Sequence, residues 1–157
     1  MITLFLKDTD IPELTAFSGN IDADSLKPHI YIAQTTDIKR VLGVDLYNKI
    51  YSDFVADTLA DDYLLIFNEY VVDMLVYFSC AYYMGFGAYK TSNAGVYKTN
   101  ADGASLADVK EVNVLISRYR QLGSSVENSF YEFMKTNTTI SEYVHEEKKT
   151  TNIVNWY

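Results

Sequence analysis

The chain has 157 residues, 48% of them hydrophobic, with 21 acids against 13 bases for a net charge of −8. That hydrophobic share excludes a disordered polypeptide, and the length fits one domain able to bury about two-thirds of its unfolded surface. The acid excess argues against a protein that grips nucleic acid through phosphates, which takes clustered Lys and Arg.

Met1–Leu6 is apolar but lacks a basic leader region and stops at Lys7, so it does not read as a signal peptide. Met1–Asp24 reads as a short extended lead-in, broken by Ile11-Pro12 and Ser18-Gly19. A first helix is predicted over Asp24–Leu42, with Asp24 as N-cap and Pro28 in the first turn, where a missing N–H costs nothing. Ile30, Ala33, Ile38, Val41 and Leu42 recur near helical spacing. Lys39 and Arg40 suit the last turn, and Gly43 supplies a left-handed exit. Asp45 is placed to cap a second helix that ends near Asp57.

Asp61 or Asp62 then caps a long third helix running to about Met84, which Gly85 and Gly87 terminate. Its apolar stretch Tyr63–Met84 invites a membrane reading. Glu69 and Asp73 sit near its middle, and a central acid costs about 2.5–3.5 kcal/mol on insertion scales, so a buried helix fits better. Cys80, the single cysteine, excludes an internal disulfide, and its neighbours Phe78, Ala81 and Tyr82 make it a core thiol rather than a nucleophile.

Between Tyr89 and Ala104, turn residues surround the short β-favouring run Val96-Tyr97-Lys98, which predicts a loop or small hairpin. Ser105-Leu106-Ala107-Asp108 resembles a capping box with Asp in place of Glu and opens a last helix to Lys135. Positions 109, 112, 116, 119, 123, 126, 130 and 133 carry Val, Val, Ile, Tyr, Gly, Val, Phe and Phe. Such a seam fits packing along another long helix, in the same domain or a neighbouring subunit, with Gly123 permitting a close approach or a bend. The predicted fold is therefore mainly α: about four helices in a bundle (residues 1–135), with a loop or hairpin insertion and an extended C-terminal arm (residues 136–157). The arm has no helical stripe but ends in Val154, Trp156 and Tyr157, which suits a segment that orders on a partner.

No catalytic candidate survives inspection. Asn20-x-Asp22-x-Asp24 opens like a calcium loop but has Ser25 and Tyr31 where Gly and Glu belong. His145-Glu146-Glu147 lacks a second His four residues on. His29 has no obvious partner, and Gly85-Phe86-Gly87 follows a helix and lacks a third glycine. Glu69 and Asp73 share a face but have no nearby third ligand. The sequence thus calls for no enzyme, cofactor or metal. Between Lys49 and Lys90 there is no base, while Asp53, Asp57, Asp61, Asp62, Glu69 and Asp73 all fall there. Such a face either aids solubility, repels DNA or docks on a basic partner. Fourteen tyrosines offer contact area with a polar tip, suited to assembly surfaces or to a core with hydroxyls at its edge.

The wording V-L-G-V-D-L-Y-N-K-I, residues 41–50, with S-N-A-G-V-Y, residues 92–97, resembles the head–tail connector proteins of tailed bacteriophages, above all those of crAss-like phages. The resemblance covers roughly Met1–Lys135. It implies a virion protein forming a ring of twelve copies in the neck between portal and tail. Double-stranded DNA would pass through that ring without specific binding. The partners implied are further copies of the chain, the portal protein and other neck or tail proteins, with no membrane; assembly would take place in the host cytoplasm. On that expectation Asp61, Asp62, Glu69 and Asp73 are candidates to face the channel, and Tyr97, Val154, Trp156 and Tyr157 to contact partners. A tail-completion or stopper protein, or a helical binding module outside viruses, is the alternative.

Overall fold

The computed structural model describes residues 2–7, 9–15, 23–86, 89–92, 95–98, 109–137 and 139–143. The elements are α1 (Asp10–Leu14), a 3-10 turn (Ala23–Ser25), α2 (Lys27–Ala33), a π turn (Gln34–Ile38), α3 (Lys39–Leu42) and α4 (Val44–Ala56). They continue with α5 (Asp61–Ile66), a second π turn (Phe67–Val71), α6 (Val72–Phe86), β1 (Tyr89–Ser92), β2 (Gly95–Lys98) and α7 (Val109–Thr136). Since each π turn joins the helices on either side, the body is four helical rods, as the sequence predicts: α2–α3, α4, α5–α6 and α7. The strands pair antiparallel, with Tyr89 opposite Lys98 and Ser92 opposite Gly95, forming the predicted hairpin between the last two rods.

Both π turns are written in the apolar spacing. Ala33 and Ile38 are both buried, as are Ile66 and Val71, and each pair is five residues apart. A regular 3.6-residue helix would carry one member of each pair off the core face; a single i→i+5 turn restores it. The α5–α6 rod is the core of the domain, with Ile66, Phe67, Val71, Met74, Leu75, Phe78 and Cys80 buried. Among the described residues it is the one helix long and apolar enough to cross a membrane, and more than half of its apolar window is covered by the rest of the protein. Glu69 and Asp73 lie on its exposed side.

Helix α7 runs antiparallel to this rod. Gly123 meets Phe78 and Tyr119 meets Tyr77, while Phe130 and Phe133 meet Tyr70 further along. The seam therefore packs within the domain. Its first residue, Val109, stays exposed, and Met134 is buried beside it, so the buried stripe drifts as a straight helix does.

Several expectations are corrected. The lead-in is not peripheral: Phe5, Leu6 and Ile11 are buried, and the Phe5 ring lies 5.2–6.0 Å from those of Tyr47, Tyr51, Phe54 and Phe67. Asp24 does not cap the first rod; it sits in the 3-10 turn and bridges Lys27 at 2.6 Å, while Pro28 takes its predicted place in the first turn. Asp45 lies in the first turn of α4 without a capping bond, and Asp61 and Asp62 lie in the first turn of α5, whose N-cap is Ala60, also without one. Gly43 has positive φ, but at φ 77° and ψ 166° it is an extended kink that only glycine tolerates, not a left-handed cap. The true left-handed C-cap is Asp57, φ 54° and ψ 39°. Gly85 lies inside the last turn of α6, which runs to Phe86.

Residues 139–143 belong to the body: Ile140 is buried, the Thr139 hydroxyl donates to Asp62 at 2.6 Å and the Tyr63 hydroxyl to Glu142 at 2.7 Å. Residues 144–157 of the predicted arm, and 101–108 before α7, lie outside the described residues.

Candidate assembly surfaces

Two polar constructions fix how the rods present their outer faces. In the first, the buried Gln34 side chain accepts from Phe5 N–H at 2.8 Å and donates to the Thr3 carbonyl at 3.0 Å and the Tyr47 hydroxyl at 3.3 Å. All three bonds are directed at the N-terminal segment and α4, which explains how a polar side chain sits at full burial. The second ties three rods together. Arg40 donates twice to Glu127, at 2.9 and 3.0 Å, and the Tyr131 hydroxyl donates to the same carboxylate at 3.0 Å. Burial, reinforced by the Glu127 charge, pushes the Tyr131 phenol up to about 12. Beside them the Tyr82 hydroxyl donates to Asp37 at 2.9 Å and Arg120 lies over the Tyr82 ring. Sequence reading assigned Arg40 only to the helix end; its partner is 87 residues away, and local pattern carries no signal for it.

His29, without a partner in the sequence, has Nδ1 2.9 Å from the Ser25 carbonyl and its ring edge-on to Tyr83. Cys80 is buried and its thiol is pushed up to about 12 by that burial, so it is a core thiol. Among the described residues no three His, Cys, Asp or Glu side chains group as metal ligands. Every tyrosine whose side chain is described, except Tyr31, is at least partly buried against the core.

The predicted site residues fall as follows. Asp61, Glu69 and Asp73 are exposed on the outer side of the α5–α6 rod, where partial burial and then the Glu69 charge raise the Asp73 carboxyl above its usual value. Asp62 is half-buried and held by Thr139. Tyr97 lies in β2, opposite Lys90. Val154, Trp156 and Tyr157 lie outside the described residues.

What the sequence reading passed over is that the acidic stripe is also apolar. Leu64 and Leu65 are 40% and 42% exposed between Asp61 and Glu69. A second apolar face lies on the first half of α7, where Val114, Leu115 and Leu122 are exposed and the last two border Leu14 of α1. Leu14, Leu115 and Leu122 line a shallow groove with Tyr77, Arg118 and Tyr119, and Arg118 and Val114 line the neighbouring surface with Asn113.

Residues 38–153 match the model of a family of unknown function, DUF6712. The chain belongs to that family. The matched span runs from the end of the first π turn through the Gly43 corner, the α5–α6 rod and the hairpin to α7 and beyond. No curated protein and no solved structure matches the chain.

Proposed function

We propose that this protein is a structural subunit of the neck of a tailed phage, forming a twelve-copy ring between portal and tail through which DNA passes. The observation that carries this reading is where the two connector-like phrases fall. V-L-G-V-D-L-Y-N-K-I is the α3–α4 corner, built on a Gly43 backbone that other residues avoid, and S-N-A-G-V-Y spans the β1–β2 hairpin. One phrase therefore specifies a corner and the other a hairpin of a helical domain, places where the chain changes direction. The net charge of −8 suits a protein around DNA that must slide, since like charge removes the contacts that would anchor phosphates. The residues ending in Val154, Trp156 and Tyr157 serve as an assembly arm toward the portal or a neighbour.

With the long seam packed inside the domain, the isolated protein is a monomer or small oligomer and completes its ring on the portal. The test is co-purification with the portal protein encoded in the same genome, followed by electron microscopy of the complex. A ring of this protein stacked on the portal supports the reading; density elsewhere in the neck would move it to a stopper or tail-completion role. No association with portal or heads would overturn it. Trp156→Ala is expected to lower portal occupancy without changing helical content, because a buried aromatic anchor can carry about 2 kcal/mol of an interface.

A further inference from the structure

We propose that neighbouring copies join head to tail, the acidic leucine stripe of one (Asp61, Leu64, Leu65, Glu69) seating on the basic apolar face of the next (Lys110, Val114, Leu115, Arg118). The proposal rests on the ring reading and names its subunit contact.

The two faces are complementary in charge and alike in character. From Asp53 to Asp73 there are six acids and no base; from Val109 to Leu122 there are three bases and one acid. Among the described residues no cation pairs with Asp61 or Glu69, and no acid pairs with Lys110 or Arg118. Each face carries exposed aliphatics inside its ring of charge, Leu64 and Leu65 on one, Val114 at 67% and Leu115 at 47% exposure on the other. A wall that only repels DNA has no use for a pair of exposed leucines, whereas a protein contact does. This takes Asp61 and Glu69 out of the DNA passage.

The faces cannot meet within one molecule. Ile116 approaches Gly85, so the basic face sits at the level of the end of α6, whereas Leu65 lies near the start of the α5–α6 rod. At 1.5 Å per residue, Leu65 and Gly85 are about 30 Å apart along the rod. Two different patches at opposite ends of a subunit make a heterologous contact, which closes into rings when its rotation permits and does not stop at a two-fold dimer.

The experiment uses the full chain carrying Leu65→Cys and Val114→Cys together, oxidised in the presence of the portal protein; native Cys80 is buried. Disulfides form only between Cα atoms within about 7 Å, so no intramolecular bond can form over this span. The expected result is a ladder of dimers, trimers and larger species, with neither single variant yielding linked dimers. The ladder should weaken severalfold between 50 and 500 mM salt, as the charges are screened. Arg118→Glu on that background should abolish it, and adding Glu69→Arg should restore it. No ladder, or linked dimers from either single variant, overturns the head-to-tail contact. Ring formation on the portal is scored separately, so a portal-bound ring without this ladder would leave the neck reading standing and sink this interface.

Discussion

The ring of Phe78 occupies the space that a side chain at Gly123 would need: a Cβ there would lie 2.6 Å from Phe78 Cε1 and 2.8 Å from Cζ. The α6–α7 contact is close at this point, and both residues are buried. Gly123→Ala gains up to about 1 kcal/mol of helix propensity but forces the ring to move, and overpacking of this kind costs about 1–3 kcal/mol. Net destabilisation of about 1 kcal/mol or more is expected in urea unfolding, relieved in part by Phe78→Leu in the same chain. A more stable Gly123→Ala protein would show that the ring yields freely.

Gly43 poses the opposite case. Nothing lies within 4 Å of a Cβ placed there, yet its φ of +77° is strained for any L residue. Gly43→Ala and Gly43→Val should therefore both destabilise, by about 1–3 kcal/mol, through the backbone rather than through collision. Unchanged melting temperatures for both would mean that the α3–α4 corner relaxes to another conformation.

How much of this was legible beforehand depends on how local each signal is. Gly43, Gly123 and the apolar spacing each act within a turn or two, and from them the four rods, the corner and the close approach could be read. Asp24 and Asp45 were misassigned as caps because a cap depends on the backbone angle at one residue, which composition does not fix. Phe5 joins the core through partners 29 or more positions away, and the Arg40–Glu127 pair spans 87. Such contacts leave no periodic trace. The acids of α5–α6 are visible as a run, but within the apolar stretch Tyr63–Met84 nothing local marks Leu64 and Leu65 as exposed rather than buried.

Ser79 is fully buried, and its hydroxyl finds no partner among the described residues. An unpaired buried hydroxyl costs about 1–3 kcal/mol, and Ala also favours helix. Ser79→Ala is expected to raise the unfolding free energy by up to about 1 kcal/mol. A loss of 1 kcal/mol would mean that the hydroxyl is satisfied by water or by residues outside those described.

Burial raises the Cys80 thiol to about 12, against the smaller opposing effect of its hydrogen bond with Thr15. Only the thiolate reacts, so the native protein at pH 8 should resist a disulfide reagent and react fully in denaturant. Rapid labelling of the native state would show that α6 opens locally beside α1.

The turn after α7 is held by a bond whose two partners titrate in opposite directions. The Tyr63 hydroxyl donates to Glu142 at 2.7 Å; it is the largest influence holding the Glu142 carboxyl below its usual value, and the same bond pushes the Tyr63 phenol up to about 12. Glu142 thus favours the docked turn above its unfolded pKa, and that contribution is lost as pH falls through its lower folded value. Tyr63 favours it below its unfolded value near 10, and that contribution is lost as pH rises toward 12. Docking of residues 139–143 should therefore be firm between about pH 5 and 9 and loosen on either side. Carbon-13 titration of the Glu142 carboxyl should give a midpoint below that of an ordinary glutamate, moving up in Tyr63→Phe. The same substitution should abolish the alkaline loosening while leaving the acid limb in place, because the Ser141 hydroxyl and a backbone N–H still donate to the carboxylate. A midpoint unchanged by Tyr63→Phe would mean that the phenol does not hold Glu142 in solution.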